Sequence, residues 1–281
     1  MASHLTIRAL LEAARERLAH HSETAALDAE LLLAHALGAS RARLKSHPED
    51  AAPPAVAAQF DALVARRARG EPLAYITGRR DFWTLHLQVS PAVLVPRPET
   101  EGLVERALAL FPHGAIAAAD LGTGSGAIAL ALASERPAWQ VTATDVSEPA
   151  LAVARANARA LGLERVKFVA GSWLEPLRER RFHLIVSNPP YLASGDPALA
   201  RPALQHEPAM ALASGAEGLD AIRVIAHDAP AHLEHGGWLL LEHGATQADS
   251  VARELVVRGF RHVRSLRDLA GHERLTEGQW T

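Results

Sequence analysis

The fold is decided by Asp120-Leu-Gly-Thr-Gly-Ser-Gly126, a glycine-rich stretch that follows a short apolar segment and precedes a helix-forming one. Glycines at alternate positions let the backbone turn sharply and approach a ligand with no side chain in the way. The next predicted strand ends at Asp145, whose carboxylate can accept hydrogen bonds from ribose hydroxyls. The strand, the loop, the helix and the following acid together predict a site for an adenosine-containing cofactor.

The spacing of the glycines indicates which cofactor binds. Dinucleotide loops read G-x-G-x-x-G and hold a pyrophosphate at the helix N-terminus, whereas this loop reads G-x-G-x-G and has an acid, Asp120, before its first glycine. A negative charge there repels a pyrophosphate but suits a ligand that carries a sulfonium and an ammonium group. The loop therefore favours S-adenosylmethionine over the dinucleotide of a dehydrogenase. The alternative is a tight turn in which Asp120 only caps the helix.

Predicted strands and helices alternate around and after this loop. The expected strands are 116–120, 140–145, 166–170, 182–187, 238–242 and a segment near Val263, and the expected helices include 127–135 and 149–161. Such alternation predicts an α/β fold with a mostly parallel sheet that helices cover on both faces.

The chain before the loop follows other patterns. Apolar residues recur at helical spacing over 5–18 and 27–37, and a third helix is expected from Pro53-Pro54 to near Gly70. The stretches on either side of Ser90-Pro91 predict a β-hairpin with its turn at that dipeptide. We therefore expect a small helical domain at 1–75, a β-hairpin linker at 76–101 and a catalytic domain at 102–281.

Composition excludes several classes of protein. The chain has 29 basic and 32 acidic residues, a net charge of −3 and no cysteine. The near balance of basic and acidic residues argues against a protein that binds nucleic-acid phosphates. Without cysteine, and with histidines at no zinc-binding spacing, we expect no disulfide, no thiolate catalysis and no metal. No apolar run reaches the ~18 residues of a membrane span, and no signal sequence is recognisable, so we expect a cytoplasmic protein without membrane contact.

A second motif, Asn188-Pro189-Pro190-Tyr191, follows the predicted strand at 182–187. Ligands of open α/β sheets bind beyond the carboxyl ends of strands, and the two prolines fix the backbone there. The Asn188 side-chain oxygen and the Pro189 carbonyl can each accept one N–H of a planar NH₂ group, while Tyr191 offers a flat wall. Beside a methyl-donor loop, this motif predicts methyl transfer to a planar NH₂ group, with Asn188 and Pro189 as catalytic residues.

Both motifs resemble those of class I S-adenosylmethionine-dependent methyltransferases that act on NH₂ groups. Further stretches resemble one family among them, the HemK/PrmC release-factor glutamine methyltransferases. These stretches are Gly70–Gly78 with Phe82-Trp83, Pro96–Glu101 and Leu241–Gly244, and Glu207-Pro208 and Gly218–Asp220 also fit. The resemblance runs from about Gly70 to the C-terminus, and the N-terminal helices share only the family's helical character.

The resemblance implies a Rossmann-like methyltransferase domain and a substrate, the glutamine of the Gly-Gly-Gln motif in class I peptide-chain release factors. It implies that Trp173 lies along the adenine, that the N-terminal helices dock the release factor and that Pro96–Glu101 joins the two domains. We expect a monomer with these factors as partners and no direct contact with nucleic acid. The implied cofactor site is Asp120, Gly122, Thr123, Gly124, Ser125, Gly126, Asp145, Trp173 and Asn188, and the implied substrate site is Asn188, Pro189, Pro190 and Tyr191.

Two positions depart from the family pattern. Ser172 precedes Trp173 where the family often has an aspartate, so we expect a weaker hydrogen bond to the adenine amino group. His206 precedes Glu207-Pro208 in place of an expected aromatic or other residue.

Two other functions compete with the family's own. An adenine or guanine amino methyltransferase acting on RNA or DNA uses the same tetrapeptide, but an enzyme that flips a base normally has a basic cleft. A translation-binding module that lost its activity would have no reason to retain both loops.

Overall fold

The structure is a computed structural model that describes residues 5–281, and it divides into two compact units. One unit comprises the chain up to Gly78 together with Ala200–His206, and the other comprises Arg79–Leu199 and Glu207–Thr281. Residues 1–4, which open the predicted helical domain, lie outside the described part. No helix in residues 5–281 combines the length and apolarity that a membrane crossing requires.

The first unit is helical, as its apolar spacing predicts. Its helices are α1 (Ile7–Leu18), α2 (Ala25–Leu37), α3 (Arg41–Ser46), α4 (Pro54–Ala68) and α5 (Leu73–Thr77). The Thr6 side chain caps α1 by accepting the N–H of Ala9. Leu18, Leu32 and Phe60 lie in a core of its own. The three predicted helices are confirmed as α1, α2 and α4, whereas α3 and α5 are too short for their periodicity to be recognised.

The second unit begins with a β-hairpin whose predicted turn is wrong. Strands β1 (Arg79–Phe82) and β2 (Leu85–Gln88) pair antiparallel, with Phe82 opposite Leu85, so the chain turns at Trp83-Thr84 and not at Ser90-Pro91. Burial of Phe82, Leu85 and Leu87 fixes this register. The turn contains no glycine. Trp83 instead adopts a φ of 55° and donates its backbone N–H to the Glu101 carboxylate at 2.9 Å, a long-range contact that sequence patterns do not reveal.

The rest of this unit is a seven-stranded sheet covered by helices. The strands are β3 (Ala117–Leu121), β4 (Gln140–Asp145), β5 (Lys167–Ala170), β6 (Phe182–Ser187), β7 (Leu233–Glu242), β8 (Arg261–Arg267) and β9 (Glu273–Gln279). They lie in the order β5-β4-β3-β6-β7-β9-β8. The pairs from β5 to β7 are parallel, and β9 runs antiparallel to β7 and β8. The helices are α6 (Glu101–Leu110), α7 (Ala127–Glu135), α8 (Glu148–Leu161), α9 (Pro202–Gln205, which belongs to the first unit), α10 (Asp220–His232) and α11 (Ala248–Val257).

The predicted mostly parallel α/β fold is confirmed, and its register positions the site. Leu121, the last residue of β3, lies opposite Thr144 of β4 on one side and Ser187 of β6 on the other. The loops that follow β3, β4 and β6 therefore leave the sheet at one edge, which is where ligands of open α/β sheets bind. Strand β9 was not predicted, because Glu273–Gln279 is a largely polar run in which apolar and polar residues do not clearly alternate.

Candidate active site

The glycine-rich loop after β3 has the backbone that its sequence predicts. Gly122, Gly124 and Gly126 have φ angles of 71°, 55° and 85°, a region that other residues rarely adopt. The carbonyl of Thr144 accepts the N–H groups of Gly122 and Thr123, each at 2.9 Å. A Cβ atom on Gly122 would lie 3.0 Å from the ring of Trp173, so a side chain there would crowd the indole as well as strain the backbone.

Asp120 lies beneath this loop. Its Oδ2 accepts the Thr123 hydroxyl at 2.6 Å and the N–H of Ala129, in the first turn of α7, at 3.1 Å. Full burial raises the pKa of Asp120 to about 7. Asp120 therefore caps α7, the contact that the sequence offered as an alternative to cofactor binding. Its side chain supports the glycine loop on the side away from the cavity.

Asp145 is the last residue of β4, Trp173 follows β5, and both side chains lie beside the glycine loop. The two oxygens of Asp145 accept the N–H groups of Gly124 at 2.8 Å and Ser147 at 2.9 Å. Trp173 adopts a φ of 47°, and its carbonyl accepts the Thr144 hydroxyl at 2.8 Å. Thr144 thus connects the glycine loop to Trp173, so that the carboxylate and the indole are held at fixed positions around one space.

These groups surround a cavity of about 170 Å³ at the carboxyl edge of the sheet. It brings together six of the predicted residues, namely Gly122, Gly124, Asp145, Trp173, Asn188 and Pro190. Ser172, one of the two departures from the family pattern, also lines it. Sequence reasoning did not predict the remaining lining residues, although the dipeptide Glu207-Pro208 was noted for its resemblance to the family. These residues are Ala92, Val93, Leu94, Val146, Ser147, Ala150, Gly171, Pro208, Met210 and Ala211.

The other predicted cofactor residues support the cavity without lining it. Thr123 and Ser125 are buried, and the carbonyl of Ser125 accepts the side-chain N–H of Asn157 at 2.9 Å. Gly126 is the N-cap of α7. These residues shape the loop whose other atoms face the cavity.

The Asn-Pro-Pro-Tyr loop after β6 is held from several sides. Asn188 donates from Nδ2 to the Thr100 hydroxyl at 3.0 Å. The Tyr191 carbonyl accepts Nε2 of Gln247 at 3.0 Å. A Cβ atom on Gly218 would lie 2.1 Å from that same carbonyl oxygen. Residues 188–191 are called the acceptor loop from here on. Because Gly218 has no side chain, its backbone approaches this loop closely and helps to fix its position.

The acceptor loop faces two cavities. Asn188 and Pro190 line the first, Pro189 is buried, and the Tyr191 side chain lines a second cavity of about 160 Å³. Burial raises the pKa of Tyr191 to about 12. The second cavity is otherwise lined by four charged residues: Arg97, Glu99, Glu242 and Arg274.

The segment at 95–97 is tied to the residue before Pro208. Glu207 is buried and accepts the Val95 N–H at 3.1 Å and the Arg97 guanidinium at 2.5 Å. The ion pair thus connects the Pro96–Glu101 stretch to the Glu207-Pro208 dipeptide, whose Pro208 lines the first cavity. His206, the other departure, belongs to the helical unit, where its Nε2 lies 3.4 Å from the Arg69 carbonyl.

The glycine loop, the carboxylate at the end of β4 and the acceptor loop after β6 are the arrangement of a methyltransferase. The family described as methyltransferase small domain matches residues 106–218, and the PrmC N-terminal domain matches residues 9–78. A release factor glutamine methyltransferase of Xylella fastidiosa is 52% identical over 272 residues, which are 96% of this chain and 97% of that protein. The Pseudomonas aeruginosa protein of the same name is 51% identical over 92% of this chain and 94% of its own length. The chain belongs to the release factor glutamine methyltransferase family.

Solved structures show the same fold at lower identity. A methyltransferase from Pyrococcus furiosus superposes with a TM-score of 0.55 at 22% identity, over 76% of this chain and 98% of that one. A 16S rRNA methyltransferase from T. thermophilus, solved with AdoMet and guanosine, gives a TM-score of 0.54 at 20% identity, over 72% of this chain and 50% of that one.

Proposed function

We propose that the protein transfers a methyl group from S-adenosylmethionine to the side-chain amide nitrogen of the glutamine in the Gly-Gly-Gln motif of class I release factors. The observation that carries this proposal is the orientation of Asn188. Its NH₂ group is engaged by Thr100, which leaves the side-chain oxygen as an acceptor beside the first cavity. The names of the family's members support a glutamine amide as the group that this oxygen receives.

The residues around the first cavity fit the methyl donor. Asp145 offers carboxylate oxygens to ribose hydroxyls, Trp173 offers a planar surface to adenine, and Gly122 keeps the space between them free of side chains. The apolar side chains of Val93, Leu94 and Met210 form part of the remaining wall. When bound, S-adenosylmethionine supplies a methyl group made electrophilic by its attached sulfonium.

The acceptor loop orients the substrate nitrogen. An amide nitrogen is a poor nucleophile because its lone pair is delocalised. The Asn188 oxygen and the Pro189 carbonyl each accept one of its N–H bonds, which draws electron density towards the nitrogen and directs it at the methyl carbon. Such positioning can contribute up to ~7–11 kcal/mol to catalysis. No general base acts before methyl transfer, since the nitrogen-bound proton becomes acidic only afterwards and is then lost to solvent.

We further propose that the helical unit recognises the release factor and that the protein acts as a monomer. The match of the PrmC N-terminal domain to residues 9–78 supports a recognition role specific to this family. The net charge of −3 supports a protein substrate in preference to RNA or DNA. A translation factor as substrate also supports a cytoplasmic location.

The test is methyl transfer from labelled S-adenosylmethionine to a purified class I release factor. A factor with Gln→Ala in its Gly-Gly-Gln motif is the control, and RNA and DNA are offered in parallel. Label on the wild-type factor alone is the expected result. Label on RNA or DNA but on neither factor would overturn the proposal in favour of a nucleic-acid amino methyltransferase.

A further inference from the structure

Behind the acceptor loop, a short chain of polar groups leads away from the cavity. Asn188 donates from Nδ2 to the Thr100 hydroxyl at 3.0 Å, and that hydroxyl lies beside the Glu242 carboxyl group, whose ionised form it favours. A hydroxyl has a single proton, so an oxygen that accepts from Asn188 is free to donate to Glu242. The chain therefore has a direction, from the amide through the hydroxyl to the carboxyl group.

Glu242 is an unusual residue on which to end such a chain. It is the last residue of β7, is only 2% exposed, and its Oε2 has no hydrogen-bond partner within residues 5–281. Burial raises its pKa to about 7; the neighbouring charged groups are Arg274 and Arg97, which favour its ionised form, and Glu99, which opposes it. A carboxyl group buried in this way costs stability compared with an apolar residue of similar size.

We infer that Thr100 and Glu242 are positioning residues that fix which end of the Asn188 amide faces the substrate. The oxygen and the NH₂ group of an amide are almost identical in shape, so packing alone does not choose between them. Above about pH 7 Glu242 is a carboxylate, which accepts but cannot donate, so it draws the Thr100 proton towards itself. The Thr100 oxygen then accepts only from the NH₂ end of Asn188, and the amide oxygen is left for the substrate.

The reverse orientation would oppose catalysis. It would present the NH₂ group of Asn188 to the NH₂ group of the substrate, so two donors would face each other and the substrate nitrogen would lose its acceptor. Thr100 belongs to the Pro96–Glu101 stretch and Glu242 to Leu241–Gly244. The inference thus gives these two sequence stretches a shared role, which the proposed reaction alone does not give them. It rests on the proposed function.

The first test compares Thr100→Val, which keeps the shape of the side chain but removes the hydroxyl, with Thr100→Ser, which restores it. Thr100→Val should lower kcat roughly 10- to 100-fold, by analogy with the loss found when a hydrogen bond that orients a metal ligand is removed. The KM for the release factor and the affinity for S-adenosylmethionine should change less than about twofold, because neither binding contact is removed. Thr100→Ser should recover kcat to within a few-fold of the wild type.

Thr142→Val is the matched control. Thr142 is also a buried threonine of this unit, 1% exposed, but its hydroxyl has no hydrogen-bond partner in the described residues. Its substitution should leave kcat at the wild-type value. A wild-type kcat for Thr100→Val, or a Thr100→Ser enzyme as slow as Thr100→Val, would overturn the inference.

The second test separates positioning from a purely structural role. Glu242→Leu removes both the carboxyl group and the cost of burying it, so the melting temperature should stay level or rise while kcat falls to the extent seen for Thr100→Val. A lower melting temperature with an unchanged kcat would show that Glu242 only supports the fold and would overturn the inference. Wild-type enzyme is assayed in parallel on release factor, RNA and DNA. If the proposed substrate is wrong, the wild type itself does not methylate the release factor, which distinguishes that failure from a loss seen only in the variants.

Discussion

Asn188 carries the strongest expectation at the scale of single residues. We expect Asn188→Ala to abolish measurable turnover, a loss of at least ~10²-fold, because the substrate nitrogen loses an acceptor that acts in the transition state. The affinity for S-adenosylmethionine should remain close to that of the wild type, since the contacts proposed for the ribose and the adenine come from other residues. Label transfer and isothermal titration measure the two quantities. A variant with the wild-type rate would remove Asn188 from the mechanism.

Asp145 should show the opposite pattern. Asp145→Ala removes the proposed ribose acceptor and also leaves the N–H groups of Gly124 and Ser147 without their partner. We expect the affinity for S-adenosylmethionine to fall about tenfold or more, which corresponds to about 1.4 kcal/mol. At saturating cofactor, kcat should fall less than it does in Asn188→Ala. Titration calorimetry gives the affinity directly, and an unchanged dissociation constant would exclude Asp145 from the site.

At the scale of elements, the acceptor loop depends on a close backbone contact. In Gly218→Ala the new methyl group would meet the Tyr191 carbonyl at 2.1 Å, and the residue has a φ of 72°. We expect a lower melting temperature and a lower kcat, because the loop must shift to make room. Thermal unfolding and label transfer are the measurements.

Gly162→Ala provides the comparison for that variant. Gly162 ends α8 with a φ of 68°, but a Cβ atom there meets nothing within 4 Å. Its substitution should cost only the ~1–2 kcal/mol of a strained left-handed residue and should leave kcat unchanged. If the two variants behave alike, backbone strain and not the contact with Tyr191 explains the effect of Gly218→Ala.

The elements also show how far sequence reasoning reaches. The glycine loop and the acceptor loop were predictable because strand ends, prolines and left-handed glycines act locally. The turn at Trp83-Thr84 was not, because a tertiary hydrogen bond from Trp83 to Glu101 helps to hold it. Ala92–Leu94 line the first cavity although no local pattern marks them. Thr100 and Glu242 meet only because distant segments of the chain fold together, so their shared role could be recognised only from the structure.

At the scale of the whole molecule, stability should depend on pH through two buried acids. Burial raises the pKa of Asp120 and that of Glu242 to about 7, from the ordinary values of 3.8 and 4.5. Between about pH 4 and 7 the folded protein therefore binds more protons than the unfolded chain, so the free energy of unfolding should fall as the pH rises through this range. Asp120→Asn should make the dependence on pH shallower, since it removes one of the two groups.

Denaturant unfolding followed by tryptophan fluorescence measures this effect in the second unit alone. All five tryptophans lie in that unit, at positions 83, 139, 173, 238 and 280. Glu164→Gln, which changes an exposed acid of the same unit, is the control and should leave the dependence on pH as it is in the wild type. A free energy of unfolding that rises from pH 5 to pH 7.5 in the wild type would contradict the prediction.

The fixed shape of the acceptor loop has a consequence for how substrates bind. Thr100, Gly218 and Gln247 hold the loop from three separate segments, and prolines occupy its two central positions. Its conformational entropy is thus lost when the chain folds and not when a substrate arrives. Backbone amides around the loop should exchange slowly with deuterium even in the free enzyme. We therefore expect differences in affinity between acceptor proteins to arise from the flexibility of their own glutamine-bearing loops.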